Sequence, residues 1–86
     1  MKKARVPDDK LKSRLKVLGL KIAFYRKRRG LTQDALAERV DYSASYLGRV
    51  ESCRDHDIVV PALDFLYRIA DELGIPITKL VEDEES

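Results

Sequence analysis

Cysteine and histidine each occur once in these 86 residues, and tryptophan is absent. A lone Cys53 excludes an internal disulfide framework and fits a reducing compartment, so the expected location is the cytoplasm. One cysteine and one histidine also fall short of structural zinc. The group Cys53, Asp55, His56 and Asp57 is therefore set aside as a metal site, and no cofactor is expected. Nothing in the sequence sets the exposure or pKa of Cys53, so a redox switch there has no support either. Without a second histidine there is no hydrolytic dyad or triad, and catalysis is not expected. No uncharged apolar run exceeds a few residues, which excludes a membrane span and a signal-peptide core. Two independent cores do not fit in this length; one small domain does.

What is present is a globular composition, 44% hydrophobic and 37% charged. That is too apolar for a disordered chain and suits a helical one. The net charge of +2 conceals an uneven distribution. Residues 1–30 carry twelve basic side chains against Asp8 and Asp9, a balance of +10, while residues 31–86 carry five against thirteen acids, a balance of −8. A basic front and an acidic back suggest a polyanion partner for one face. A solvated amphipathic helix accounts for the same charges equally well.

Read in order, residues 1–8 predict a flexible basic arm and 82–86 an acidic tail, flanking a domain over 9–81. Asp8-Asp9 places acids at a helix start, and Leu11, Leu15, Leu18, Ile22 and Tyr25 form a 3.6-period stripe that ends at Gly30. A break in this first helix is expected near Gly19. Thr32 is an N-cap for a second helix with Leu36, Ala37 and Val40 inside, and Ser43 caps a third that buries Leu47 and Val50. Two short helices joined by about three residues are the arrangement of a helix-turn-helix. After the polar stretch from Ser52, where Ile58–Val60 is the one candidate for extended chain, Pro61 is expected to open a fourth helix. Its apolar face is read as Leu63, Leu66, Tyr67, Ile69, Ala70 and Leu73, with Gly74 as its stop. Pro76 is expected to open a last short helix with Ile77, Leu80 and Val81 inside. The class is all-α with five helices.

The residues Leu18-Gly19, Ile22, Tyr25-Arg26, Gly30-Leu31-Thr32-Gln33, Leu36-Ala37, Val40, Ser43, Leu47 and Val50-Glu51 carry a resemblance. From about Leu15 to Val81 the chain resembles the phage repressor/Cro (XRE-type) helix-turn-helix family. The resemblance implies a five-helix, lambda-repressor-like DNA-binding domain. Two departures stand out: Asp41 occupies the turn position where the family usually has glycine, and Ser52–Val60 is longer than the family's connection. Asp tolerates the left-handed backbone conformation better than most residues, so the turn should survive.

With Leu47 and Val50 facing inward, Ala44, Ser45, Gly48 and Arg49 project outward, and in the family these positions face the major groove. Arg49 can read guanine O6 and N7 bidentately, Ser45 can bond several base edges, and Ala44 can touch a thymine methyl. Gly48 costs about 1 kcal/mol of helix propensity and permits close approach. Arg49 as a plain surface charge or phosphate contact is the competing reading. Gln33 is expected to donate to a phosphate beside the free N–H groups of its helix start. Ser43, Tyr46, Arg54 and Lys27 complete the expected backbone contacts, Tyr46 being as well suited to packing. Ala37 lies where the second and third helices meet, and its small side chain lets them approach. The resemblance implies that Arg26 and Glu51 form an internal ion pair.

The apolar residues of the fourth and fifth helices, with Ile58, Val59, Val60 and Leu63, exceed what so small a domain buries alone. A homodimer through that surface is expected. The functional expectation is a sequence-specific transcriptional regulator, a repressor or controller binding a palindromic operator as a homodimer on double-stranded DNA. The alternative is a protein-interaction module on the same fold, such as an antitoxin-type binder of an unidentified protein partner.

Overall fold

The computed structural model describes residues 8–82. The arm expected over 1–8 therefore lies outside the described residues except for Asp8, and residues 83–86 of the expected tail lie outside as well. Asp8 belongs to the domain, because its carboxylate accepts from the Leu11 N–H at 2.8 Å and caps the first helix.

Five helices follow in order: α1 (Asp9–Arg28), α2 (Gln33–Val40), α3 (Ala44–Ser52), α4 (Leu63–Leu73) and α5 (Thr78–Val81). Local chemistry sets most of their limits. Thr32 Oγ1 accepts from the Ala35 N–H at 3.0 Å, and Ser43 Oγ accepts from the Tyr46 N–H at 3.0 Å. Each cap satisfies a donor that the first helical turn leaves unpaired. The α2 stop is a left-handed residue, Asp41 at φ 64° and ψ 41°, and the Tyr42 N–H returns to the Ala37 carbonyl at 3.0 Å. That is the bond pattern glycine usually supports, here built on aspartate. Cys53 ends α3 in the same way at φ 44°, and its side chain is buried.

α1 is continuous, so the break expected near Gly19 does not occur. Gly19 is where α1 and the last turn of α3 touch. A Cβ placed on it would lie 2.5 Å from the Val50 carbonyl oxygen and 2.7 Å from that of Glu51. The glycine serves close approach between two helices, which a single sequence cannot distinguish from a breaker.

The core is one cluster. Leu15, Leu18 and Ile22 of α1 meet Leu36 and Val40 of α2, Leu47 and Val50 of α3, and Phe65 and Ile69 of α4. Phe65, absent from the face expected for α4, is fully buried, while Leu63 and Tyr67 are 64% and 52% exposed. Leu63 and Phe65 flank the stripe of Leu66, Ile69, Ala70 and Leu73 on its two sides, and the packing partners decide which of them is buried. Pro61 precedes α4, Ala62 is its N-cap, and the inward face is Phe65, Leu66, Ile69, Ala70 and Leu73. Phe65 enters an aromatic cluster, its ring meeting those of Tyr42 and Tyr46 edge-on with centroids 4.9 Å away in each case. Val81, expected inside, is half exposed. No β-strand occurs among the described residues; the connection from α3 to α4 holds one isolated bridge between Arg54 and Asp57.

Candidate nucleic-acid interface

α2, the Asp41 turn and α3 form a helix-turn-helix backed by α1 and α4. On the outward face of α3, Ser45 and Arg49 are exposed, whereas Ala44 and Gly48 are half buried. Gly48 is covered by a neighbour: Gln33 reaches across from the start of α2, its Oε1 3.4 Å from where a Cβ of residue 48 would sit. The Gln33 amide also donates to Glu51 Oε1 at 2.8 Å. One side chain thereby joins the first turn of α2 to the last turn of α3.

Arg26 and Glu51 form the rivet beneath this surface. Arg26 Nε donates to Glu51 Oε2 at 2.8 Å and Nη2 donates to Oε1 at 3.0 Å, a bidentate pair whose side chains are nearly buried. Arg26 Nη1 donates to the Leu31 carbonyl at 2.8 Å, so the guanidinium also closes the loop into α2. No buried side-chain polar atom among the described residues lacks a partner. The pair is therefore fully satisfied, which a buried ion pair requires.

The other expected contacts are placed as follows. Ser43 caps α3 through its hydroxyl. Tyr46 is a packing residue: its ring stacks on Tyr42, and its hydroxyl accepts from the Ala62 N–H at 3.1 Å. Lys27 and Arg54 are exposed on the α1 end and on the loop after α3. Ile58 and Val59 pack partly against the core, while Val60 is 60% exposed.

Several cations of the basic front serve the fold. Arg29 Nη1 donates to the Leu73 carbonyl at 2.9 Å and caps the end of α4, and Lys16 pairs with Asp55 at 2.8 Å. The guanidinium of Arg28 lies 5.6 Å from the centre of the Phe24 ring. Arg39 reaches Glu72, and Arg68 donates to the Val40 carbonyl, tying the end of α2 to α4.

Arg49 has a partner that its sequence position does not announce. Nε donates to Asp57 Oδ2 at 2.9 Å and Nη2 donates to Oδ1 at 2.7 Å, so the carboxylate of the α3–α4 connection grips one edge of the guanidinium. That hydrogen bond holds the Asp57 carboxyl below the ordinary carboxylate range, and Lys16 does the same for Asp55. Burial pushes the Cys53 thiol up, away from the thiolate that reactive cysteines require.

Residues 17–81 match a family model described as a helix-turn-helix domain. The chain belongs to that family. Over 67 residues, 78% of its length, it is 39% identical to the immunity repressor protein of Bacillus phage phi105. The match spans 44% of that repressor's length. Among solved structures, the restriction-modification controller protein C.AhdI from Aeromonas hydrophila superposes with a TM-score of 0.71 at 26% identity, covering 79% of this chain and 97% of that one. The N-terminal DNA-binding domain of SinR from Bacillus subtilis gives 0.70 at 26% identity, covering 81% and 97%. SinR in complex with DNA gives 0.67 at 29% identity, covering 76% and 98%. The helix-turn-helix chain therefore stands among DNA-binding regulators of the repressor and controller type, of the XRE kind that its sequence resembles. No helix among the described residues is long and apolar enough to cross a membrane.

Proposed function

We propose that the protein is a transcriptional repressor or controller that binds a palindromic operator as a homodimer in the cytoplasm. The observation that carries this reading is the outward face of α3. It lies next to the left-handed Asp41 turn, and Ser45 and Arg49 are exposed on it. In the major groove, Arg49 reads a guanine, Ser45 bonds a base edge, and Ala44 and the backbone at Gly48 lie close to the bases. Gln33, Ser43, Lys27 and Arg54 flank that face and hold the phosphates, with Tyr46 acting through its packing under α3.

Dimerisation uses the exposed apolar residues ahead of and on α4. Leu63 and Tyr67, one turn apart on the same face, follow the exposed Val60, with Ile58 and Val59 supporting from below. A two-fold pair on this surface sets the recognition helices about 34 Å apart, the spacing of successive major grooves.

The test is a selection of bound duplexes from a randomised pool, followed by Arg49→Ala. The substitution should cost about 1–3 kcal/mol on the selected duplex, relax one base position and leave the melting temperature nearly unchanged. Equal losses on the selected and a scrambled duplex would make Arg49 a phosphate contact and remove the base-reading role of α3.

A further inference from the structure

Arg49 presents five N–H groups on two usable edges, the side edge formed by Nε and Nη2 and the end edge formed by Nη1 and Nη2. Asp57 occupies the side edge, through Nε at 2.9 Å and Nη2 at 2.7 Å. One hydrogen of Nη1 points back along the Cδ side, and the end edge keeps the other together with the outer one of Nη2. Those are the donors that a guanine's O6 and N7 accept in the major groove. A carboxylate on the side edge therefore does not compete with a base on the end edge. It fixes the plane in which the end edge lies.

Asp57 is itself held in place. Its backbone N–H donates to the Arg54 carbonyl at 2.9 Å, closing a four-residue turn. The start of that turn is anchored by the buried Cys53, and Asp55 within it is tied to α1 by Lys16 at 2.8 Å. The turn belongs to the connection between α3 and α4, which lies beyond the helix-turn-helix and to which the proposed base contacts assign nothing.

From this geometry we infer that Asp57 is a specificity-determining positioning residue, which orients the Arg49 guanidinium so that its end edge meets a guanine. The inference rests on the reading of Arg49 as a base contact. Holding a long side chain in one orientation before binding removes a rotamer cost that the free arginine would otherwise meet on the DNA. The Asp57 charge also lies beside the Arg49 cation, close to where DNA phosphates approach. It therefore weakens indiscriminate binding while favouring the one register in which Arg49 is used.

The experiment compares wild type, Asp57→Ala, Arg49→Ala and the double variant on a duplex selected by the wild-type protein and on its scrambled counterpart, at one salt concentration. Melting curves are recorded alongside. Asp57→Ala should lower affinity for the selected duplex about tenfold and leave affinity for the scrambled duplex unchanged or slightly raised, with a melting temperature lowered only by the small amount that an exposed ion pair contributes, as in Arg49→Ala. In the Arg49→Ala background the same substitution should change the ratio of the two affinities less than about twofold, because the group it positions is gone. Replacing each guanine of the selected duplex in turn by 7-deazaguanine, which lacks the N7 acceptor, should reveal one position to which wild type is sensitive, Arg49→Ala is insensitive and Asp57→Ala is much less sensitive. Tighter binding of Asp57→Ala to the selected duplex would make Asp57 a competitor and overturn the inference. Equal weakening on both duplexes would overturn it as a structural effect. A ratio that collapses with Arg49→Ala but not with Asp57→Ala removes the positioning role alone. A ratio untouched by Arg49→Ala removes the base-reading role on which it rests.

Discussion

Substituting alanine at Gly19 and at Gly48 should move stability in opposite directions, although both glycines sit inside helices. By intrinsic propensity alone each replacement gains about 1 kcal/mol. At Gly19 the added Cβ meets two backbone oxygens, those of Val50 and Glu51, at 2.5 and 2.7 Å. Neither is the far end of a flexible side chain, so α1 and the end of α3 must separate by several tenths of an ångström along a buried seam. That displacement also pulls Glu51 from Arg26. Overpacking of this kind costs up to about 3 kcal/mol, leaving a net loss of about 2 kcal/mol after the propensity gain. For a domain of this size that corresponds to a melting temperature lower by about 8–16 °C. At Gly48 the nearest atom is the Gln33 side-chain oxygen at 3.4 Å, an ordinary contact that a rotamer can relieve. Gly48→Ala should therefore keep its gain of about 1 kcal/mol and melt about 4–8 °C higher. Thermal and urea unfolding of the two variants decide it. A Gly19→Ala protein as stable as wild type would refute the claim that close approach, and not chain flexibility, is what this glycine supplies.

Arg26→Met should destabilise the fold by about 3–5 kcal/mol in urea unfolding, because it leaves the nearly buried Glu51 carboxylate with Gln33 alone; a variant that melts like wild type yet fails on DNA would place Arg26 at the DNA surface. Val60→Lys should give a folded monomer by sedimentation at micromolar concentration with much weaker operator binding, since Val60 is exposed while Val59 packs against the core; a wild-type protein that is already monomeric would sink the dimer. Asp55 and Asp57 have folded-state pKa values below their unfolded ones, so what they contribute to stability is present above about pH 3.9 and lost as pH falls through the folded values. The wild-type melting temperature should accordingly drop more between pH 5 and pH 2.5 than that of an Asp55→Asn/Asp57→Asn double variant, and parallel curves would refute the assignment.

Sequence made most of the scaffold legible because its signals are local. Thr32 and Ser43 bond a backbone N–H three residues on, and Asp41 adopts its left-handed turn within its own tetrapeptide, so neither depends on distant partners. The misreadings share the opposite property. Gly19 looked like a breaker because the α3 carbonyls that need its bare Cα lie more than thirty residues away. The helical period leaves Phe65 and Leu63 on the two flanks of one stripe, and the burial of Phe65 is decided by Tyr42 and Tyr46, two aromatics of the helix-turn-helix that lie far from it in sequence. Leu63 and Tyr67 kept the helical period but fell on the outer side of it.

Charge was the least transferable signal, and the structure shows why. A balance of +10 over the first thirty residues invites every cation to be counted toward a polyanion, yet Arg26, Arg29 and Lys16 are committed to Glu51, the Leu73 carbonyl and Asp55. These contacts hold α1 to the end of α3, the end of α4 and the connection after α3. Removing such a cation changes DNA binding by moving the platform under α3. On the proposed reading, removing the exposed Lys27 or Arg54 should instead subtract a phosphate contact and lower the salt dependence. The same substitution type thus separates into two classes that composition cannot tell apart. Arg49 belongs to neither, since Asp57 holds its side edge while its end edge keeps its donors for a base. A cation free at the surface supplies affinity for any duplex, whereas one held by a carboxylate can discriminate between them.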